Sequence, residues 1–82
     1  MKKIIVRIDG MMCGMCEAHI CDVIRKTFSD AKKVSASRRK GEASFLTENE
    51  PAESLLEEAI TSIGYTYISS ESVEYTKKGL FG

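Results

Sequence analysis

The sequence predicts one α+β domain with the element order β-α-β-β-α-β. Three observations support this prediction: a period-two apolar pattern opens the chain, apolar residues recur at three- and four-residue steps in two later segments, and turn-forming residues separate the rest. The chain has 82 residues, which is enough for a single domain with a core of moderate size.

The first two elements are predicted between Ile4 and Asp30. Alternating apolar residues predict a first strand that ends at Asp9-Gly10, and its buried positions are Ile4, Val6 and Ile8. From Cys16 on, apolar residues with helical spacing predict a helix that ends near Ser29-Asp30, and these residues are Ile20, Val23, Ile24 and Phe28.

The next segment is predicted to form two strands joined by a turn. The strands are Lys33 to Arg39 and Glu42 to Leu46, and Gly41 between them can adopt a positive φ. The side chains predicted to face the core from this pair are Val34, Ala36, Ala43 and Phe45.

A second helix and a fourth strand complete the domain. Pro51 is predicted at the first helical position, and Gly64 marks the end of the helix. The predicted apolar positions of this helix are Ala52, Leu55, Leu56, Ala59, Ile60 and Ile63. Aromatic and β-branched residues predict a strand from Tyr65 to Val73. The simplest packing is a ferredoxin-like four-stranded antiparallel sheet with both helices on one face.

Composition and charge exclude some classes of function. Twelve Lys and Arg residues balance twelve Asp and Glu residues, so no overall field favours a nucleic-acid partner. The first apolar stretch is interrupted by Arg7 and Asp9 before it reaches signal or membrane length, so we expect no membrane insertion. Three cysteines, two of them only three residues apart, indicate a reduced thiol site and a cytoplasmic location.

Cys13-Gly14-Met15-Cys16 is the motif that carries chemistry. It follows the first strand and leads into the first helix, where unpaired N–H groups and the helix dipole stabilise thiolates and anionic thiolate–metal units. Two thiolates at this spacing can bind one ion or form a redox couple. Soft sulfur ligands favour Cu(I), with Zn²⁺ or another thiophilic ion as a competitor.

The segment Gly10-Met11-Met12-Cys13-Gly14-Met15-Cys16 resembles the G-M-x-C-x-x-C signature of the heavy-metal-associated domain. This family contains copper chaperones and modules of copper-transporting P-type ATPases, and the resemblance covers residues 1–75, leaving a tail at 76–82. It implies Cu(I) bound by Cys13 and Cys16 and transfer by thiolate exchange. The implied partner is a metal-transporting P-type ATPase or its metal-binding domain, and the implied state is a monomer or a metal-bridged dimer. The resemblance implies no enzymatic activity.

The resemblance also implies roles for two neighbouring residues. Met11 matches a methionine that generally packs under the loop, and Tyr65 matches a tyrosine whose ring lies close to the loop in many bacterial chaperones. Two residues depart from the family pattern. Met12 replaces a commoner Thr or Ser, and Glu17 adds negative charge beside the site, although it also suits the first turn of a helix.

Two further side chains near the motif have open roles. His19 lies one helical turn after Cys16 and is a candidate third ligand or a solvated residue. Cys21 lies about 140° around the helix from Cys16, so we expect a solvent-side thiol that does not share the ion. It could instead bridge two copies on oxidation or pack as a small apolar residue.

The sequence is also compatible with other functions and surfaces. A C-x-x-C at a helix start also occurs in thiol–disulfide oxidoreductases, but this motif contains no proline, and Pro51 is predicted at a helix start. A regulatory metal-sensing domain of a P-type ATPase would have the same motif. The basic runs Lys32-Lys33 and Arg38-Arg39-Lys40 are expected to be solvated, or else to serve as local docking patches.

Overall fold

A computed structural model describes residues 1–12 and 14–75. Within these residues, strands and helices follow one another in the predicted order. Their bounds are Lys2–Asp9 for β1, Gly14–Thr27 for α1, Lys32–Ser37 for β2, Glu42–Thr47 for β3, Glu53–Ser62 for α2 and Thr66–Glu74 for β4. The predicted ferredoxin-like α+β fold is confirmed.

The strands form one antiparallel sheet in the order β2-β3-β1-β4. β1 is a central strand, since Val6 pairs with Ala43 of β3 on one side and with Ser70 of β4 on the other. The pairing of β1 with β4 shifts register between Arg7 and Ile8. Such irregularities bend a strand and re-aim the chain that follows it. This one lies where β1 leads into the cysteine motif.

The hydrophobic core lies on one face of the sheet. Side chains alternate between the two faces of a strand, and in β1 the buried ones are Ile4, Val6 and Ile8. Both helices pack on this face, and the residues they bury there are Ile20, Ile24, Leu56 and Ile60. Ala43 and Phe45 are buried as predicted, whereas Val34 and Ala36 of the edge strand β2 are only half-buried.

Two aromatic rings fasten the end of α1 to the sheet. Phe28 follows the last residue of α1, and its ring stacks on Phe45 of β3 with centroids 5.6 Å apart and an angle of 16° between the planes. Stacked pairs of this kind add about 0.5–1.5 kcal/mol to the free energy gained from burial alone.

Helix α2 begins later than predicted. It starts at Glu53, and Ala52 is the N-cap in an extended conformation, so the prediction that Pro51 is the first helical residue was wrong. The physical reason is that the backbone N–H groups of Leu55 and Leu56 donate to the carbonyl of Ala52, which leaves Pro51 outside the first turn.

The apolar face of α2 is narrower than predicted. Leu56, Ala59 and Ile60 are buried, but Leu55 is 48 % exposed and Ala52 and Ile63 are also exposed. Only one stripe of a helix can contact the flat face of a sheet, so the flanking apolar positions remain in solvent. Beyond the helix end, Gly64 has a φ of +92°, as the predicted stop signal requires.

The turn between β2 and β3 is longer than predicted. β2 ends at Ser37, and residues 38–40 form the turn, so the prediction of a strand through Arg39 was wrong. Gly41, at φ +67°, donates its N–H to the carbonyl of Ser37 at 2.9 Å. Its own carbonyl accepts from the N–H of Ile8 at 2.8 Å. These bonds close the turn early and fasten it to the end of β1.

At the opposite end of the sheet, a side-chain hydrogen bond joins the connection after α1 to β3. The buried hydroxyl of Thr47 donates to the carboxylate of Asp30. This bond favours the ionised carboxylate and lowers the pKa of Asp30 below its ordinary value.

Among residues 1–12 and 14–75, no helix is long and apolar enough to cross a membrane. The predicted tail at 76–82, including Leu80 and Phe81, lies outside the described residues.

Candidate functional site

Three connecting segments meet at the end of the sheet where β1 leads into α1. They are the β1–α1 connection, the turn at residues 38–41 and the α2–β4 connection at residues 63–65. The chain order explains this, because antiparallel strands alternate in direction and bring these connections to the same end. The hydrogen bond between Ile8 and Gly41 joins the first two segments directly.

The residues before Cys13 carry the chain from the core to the surface. Gly10 has a φ of +104°, a conformation that residues with a side chain rarely adopt, and it turns the chain away from β1. Met11 is then buried in the core cluster, whereas Met12 is 83 % exposed. Met11 therefore anchors the beginning of the loop, and Met12 faces solvent.

Cys16 lies in the first turn of α1. It is half-buried and packs against the edge of the hydrophobic core. The first turn of a helix presents backbone N–H groups and a partial positive charge, both of which favour an anionic ligand set. The flanking residue Met15 is 69 % exposed, so the surface beside Cys16 is open to solvent. Cys13, the other predicted ligand, lies outside the described residues.

Tyr65 contacts the loop from the other side. A Cβ placed on Gly10 would lie 3.3 Å from Cδ1 of Tyr65, so the ring packs directly against the glycine. The backbone N–H of Tyr65 donates to the carbonyl of Ile60 at 3.3 Å, and the half-buried ring also contacts the core. The ring therefore lies between the core and the loop. Its effect on a bound ion stays a prediction.

His19 lies on an exposed part of α1. It lines a shallow surface depression together with Asp22, Val23, Lys26 and Ile63. In the part of the chain that the structure describes, no three His, Cys, Asp or Glu side chains converge in a way that could hold a metal ion. The role of His19 as a third ligand stays a prediction.

Cys21 is half-buried, which differs from the expected solvent-side position. Burial raises the pKa of its thiol, and the nearby charge of Arg25 only partly opposes this effect. The thiol is therefore free but partly covered, because the angle around a helix does not specify how far neighbouring side chains reach over a position. Of the alternatives for Cys21, packing as a small apolar residue fits this position.

A contact between Glu17 and Arg38 was missed by sequence reasoning. Oε2 of Glu17 accepts a hydrogen bond from the backbone N–H of Arg38 at 2.7 Å, and Oε1 lies 3.8 Å from Nη1 of the guanidinium. Arg38 is therefore not simply a solvated residue of a basic run. The predicted topology already brings its turn to the same end as the loop, and this was the signal that could have indicated the contact.

Comparisons with known proteins show the same fold. No protein-family profile and no curated protein sequence matches the chain. The structure is similar to that of a CopZ metallochaperone, with a TM-score of 0.70 and 21% identity over 80% of this chain and 98% of that one. It is also similar to the yeast copper transporter domain Ccc2a, with a TM-score of 0.71 and 21% identity over 93% of this chain and 100% of that one.

A domain of a zinc(II) ATPase has the same architecture. The N-terminal domain of the zinc(II) ATPase ZiaA gives a TM-score of 0.60 and 19% identity over 82% of this chain and 93% of that one. The chain therefore shares the ferredoxin-like fold of these metal-binding proteins.

Proposed function

We propose that this protein binds one soft metal ion, Cu(I), through the thiolates of Cys13 and Cys16, and transfers it to a metal-transporting P-type ATPase or its metal-binding domain. The observation that carries the proposal is the position of Cys16 in the first turn of α1, beside a loop that emerges at the surface. The fold shared with a metallochaperone and a copper transporter domain supports it.

The chemistry of the donor set favours Cu(I). Thiolate sulfur is a soft ligand, and Cu(I) is satisfied by two such ligands, whereas structural Zn²⁺ sites generally use four. The backbone N–H groups at the start of α1 would stabilise the negative charge of a bis-thiolate complex. Zn²⁺ is the competitor that the likeness to the ZiaA domain brings into consideration.

Transfer requires only ligand exchange. A thiolate of the acceptor forms a bond to the ion as a thiolate of this protein releases it, so the oxidation state of the metal does not change and no catalysis is involved. Two exposed residues, Met12 before the motif and Met15 within it, show that an acceptor loop can approach this surface. The proposed setting is the cytoplasm, where thiols remain reduced, and the proposed state is a monomer.

Two residues would support the loop without binding the ion. Met11 anchors the chain in the core immediately before the motif. Tyr65 packs against Gly10 and would limit the movement of the loop toward α2.

Anaerobic competition titration tests the binding step. Cu(I) is added to the reduced protein in the presence of a chromophoric chelator, and one ion per chain is expected to bind. Cys13→Ser and Cys16→Ser should each lose tight binding, whereas Cys21→Ser, the matched control, should retain it. Unchanged binding in Cys13→Ser would contradict the proposal. His19→Ala measures whether a third ligand contributes, because only a ligating His19 would weaken binding on removal.

A transfer experiment separates delivery from sensing. The Cu(I)-loaded protein is mixed with the apo Ccc2a domain as acceptor, and the distribution of the metal is measured by native mass spectrometry. Delivery predicts that the metal equilibrates between the two chains within the mixing time. A protein that binds Cu(I) but does not release it to the acceptor would favour the alternative of a regulatory metal-sensing domain.

A further inference from the structure

Glu17 and Arg38 lie together beside Gly14, the residue that follows Cys13 in the motif. A Cβ placed on Gly14 would lie 3.5 Å from Nη1 of Arg38 and 4.0 Å from Oε1 of Glu17. Both charged groups therefore lie beside the segment that connects the two cysteines. One of them comes from the helix that carries Cys16 and the other from the β2–β3 turn.

The contacts of the Glu17 carboxylate engage both of its oxygens. Oε2 accepts from the backbone N–H of Arg38 at 2.7 Å, and Oε1 lies 3.8 Å from the guanidinium. The turn that presents Arg38 is itself fixed, because Gly41 bonds to Ser37 on one side and to Ile8 on the other. The carboxylate is thus drawn toward the turn.

Charge distinguishes the two competing ions at this position. Two thiolates with Cu(I) have a net charge of −1, whereas two thiolates with Zn²⁺ have a net charge of zero and still lack ligands. Zn²⁺ accepts carboxylate oxygen as a ligand, and the carboxylate beside the motif is that of Glu17. A cation next to the loop favours the anionic Cu(I) complex and gives no comparable advantage to the neutral Zn²⁺ complex.

We propose that Arg38 determines the metal selectivity of this site, because its guanidinium engages an oxygen of the Glu17 carboxylate that could otherwise bind the ion and places a positive charge beside the loop that carries the thiolates. This inference rests on the proposed function, since it assumes that Cys13 and Cys16 bind the metal. Arg38 is a positioning residue, which acts on the ion through charge and through Glu17.

The test compares the affinities of each variant for Cu(I) and for Zn²⁺, measured separately by chelator competition. Arg38→Gln removes the cation and releases Oε1 of Glu17. We expect Zn²⁺ to bind on the order of tenfold more tightly and Cu(I) several-fold more weakly, within the range usual for changes next to metal ligands. Arg38→Lys keeps the charge and should retain most of the Cu(I) affinity.

Two further variants identify the cause. In Arg38→Gln combined with Glu17→Gln, the gain in Zn²⁺ affinity should disappear, because no carboxylate remains to bind the ion. Arg39→Gln removes the same charge from the next residue of the turn and should leave the selectivity ratio unchanged. Far-UV circular dichroism confirms that each variant is folded.

The outcomes separate this inference from the proposed function. If Cys13→Ser loses all binding, the metal site stands. If Arg38→Gln then leaves the ratio of the Cu(I) and Zn²⁺ affinities unchanged, the proposed role of Arg38 is overturned. A gain in Zn²⁺ affinity that persists in the double variant would also overturn it. Failure of the unmodified protein to bind either ion would refute the proposed function itself.

Discussion

The contact between Tyr65 and Gly10 leads to a quantitative prediction for Gly10→Ala. At a φ of +104° the new side chain meets its own backbone, which costs about 1–2 kcal/mol in a left-handed conformation. The added Cβ would also lie 3.3 Å from Cδ1 of Tyr65, closer than ordinary van der Waals contact. Displacing the ring adds about 1 kcal/mol, the low end of the usual cost of overpacking.

Gly64→Ala is the matched control. Gly64 has a similar φ of +92°, but a Cβ placed there has no heavy atom within 4 Å apart from its chain neighbours. Its substitution should therefore cost only the backbone penalty of about 1–2 kcal/mol. The difference between the two variants isolates the contact with the ring.

Urea denaturation followed by far-UV circular dichroism measures both free energies of unfolding, since the chain contains no tryptophan for fluorescence. Gly10→Ala should be less stable than Gly64→Ala by about 1 kcal/mol, and this excess should vanish when Tyr65 is replaced by alanine. Equal losses in the two glycine variants, or an excess that survives removal of the ring, would refute the described packing.

Three further predictions concern other parts of the molecule. Phe45→Ala should lower the free energy of unfolding by about 3–5 kcal/mol because it removes a buried, stacked ring, whereas Leu55→Ala at an exposed position should have little effect; similar urea midpoints would contradict this. The pKa of Asp30 is lowered in the folded protein, so the hydrogen bond from Thr47 contributes its full stability at a pH above the pKa that Asp30 has in the unfolded chain. This contribution is lost as the pH falls through the pKa of Asp30 in the folded protein. Asp30→Asn should therefore be less stable than the unmodified protein at neutral pH and should lose less stability in acid. Free energies of unfolding that change with pH in parallel in the two proteins would exclude this role. In a variant without the two loop cysteines, alkylation of Cys21 should show a pH midpoint above that of an ordinary thiol, because burial raises its pKa; a midpoint at or below the ordinary value would show that the thiol is solvated.

The central strand β1 was predictable because burial and side-chain alternation are directly coupled in a sheet. Ile4, Val6 and Ile8 alternate in the sequence, and the structure buries all three. The helix that carries Leu55 shows the limit of this reasoning. Hydrophobicity alone marked a broad stripe on α2, but the sheet contacts only its central part, and Leu55 remains exposed.

The candidate site was predictable only in part. The motif indicated Cys16 at the start of α1, and the structure places it in the first turn. The contact between Glu17 and Arg38 joins residues that are 21 positions apart. Its formation depends on where β2 ends and on the rotamers of two long side chains, neither of which follows from local sequence pattern.

The first and last described residues lie side by side, because the backbone N–H of Tyr75 donates to the carbonyl of Met1 at 3.1 Å. β1 and β4 are antiparallel neighbours, so both of these residues lie at the end of the sheet remote from the cysteine motif. A tag or a surface linker attached ahead of Met1 would therefore join the domain at the end far from the cysteine motif. A protein attached to a surface in this way would hold its cysteine motif away from that surface, where molecules in solution can reach it.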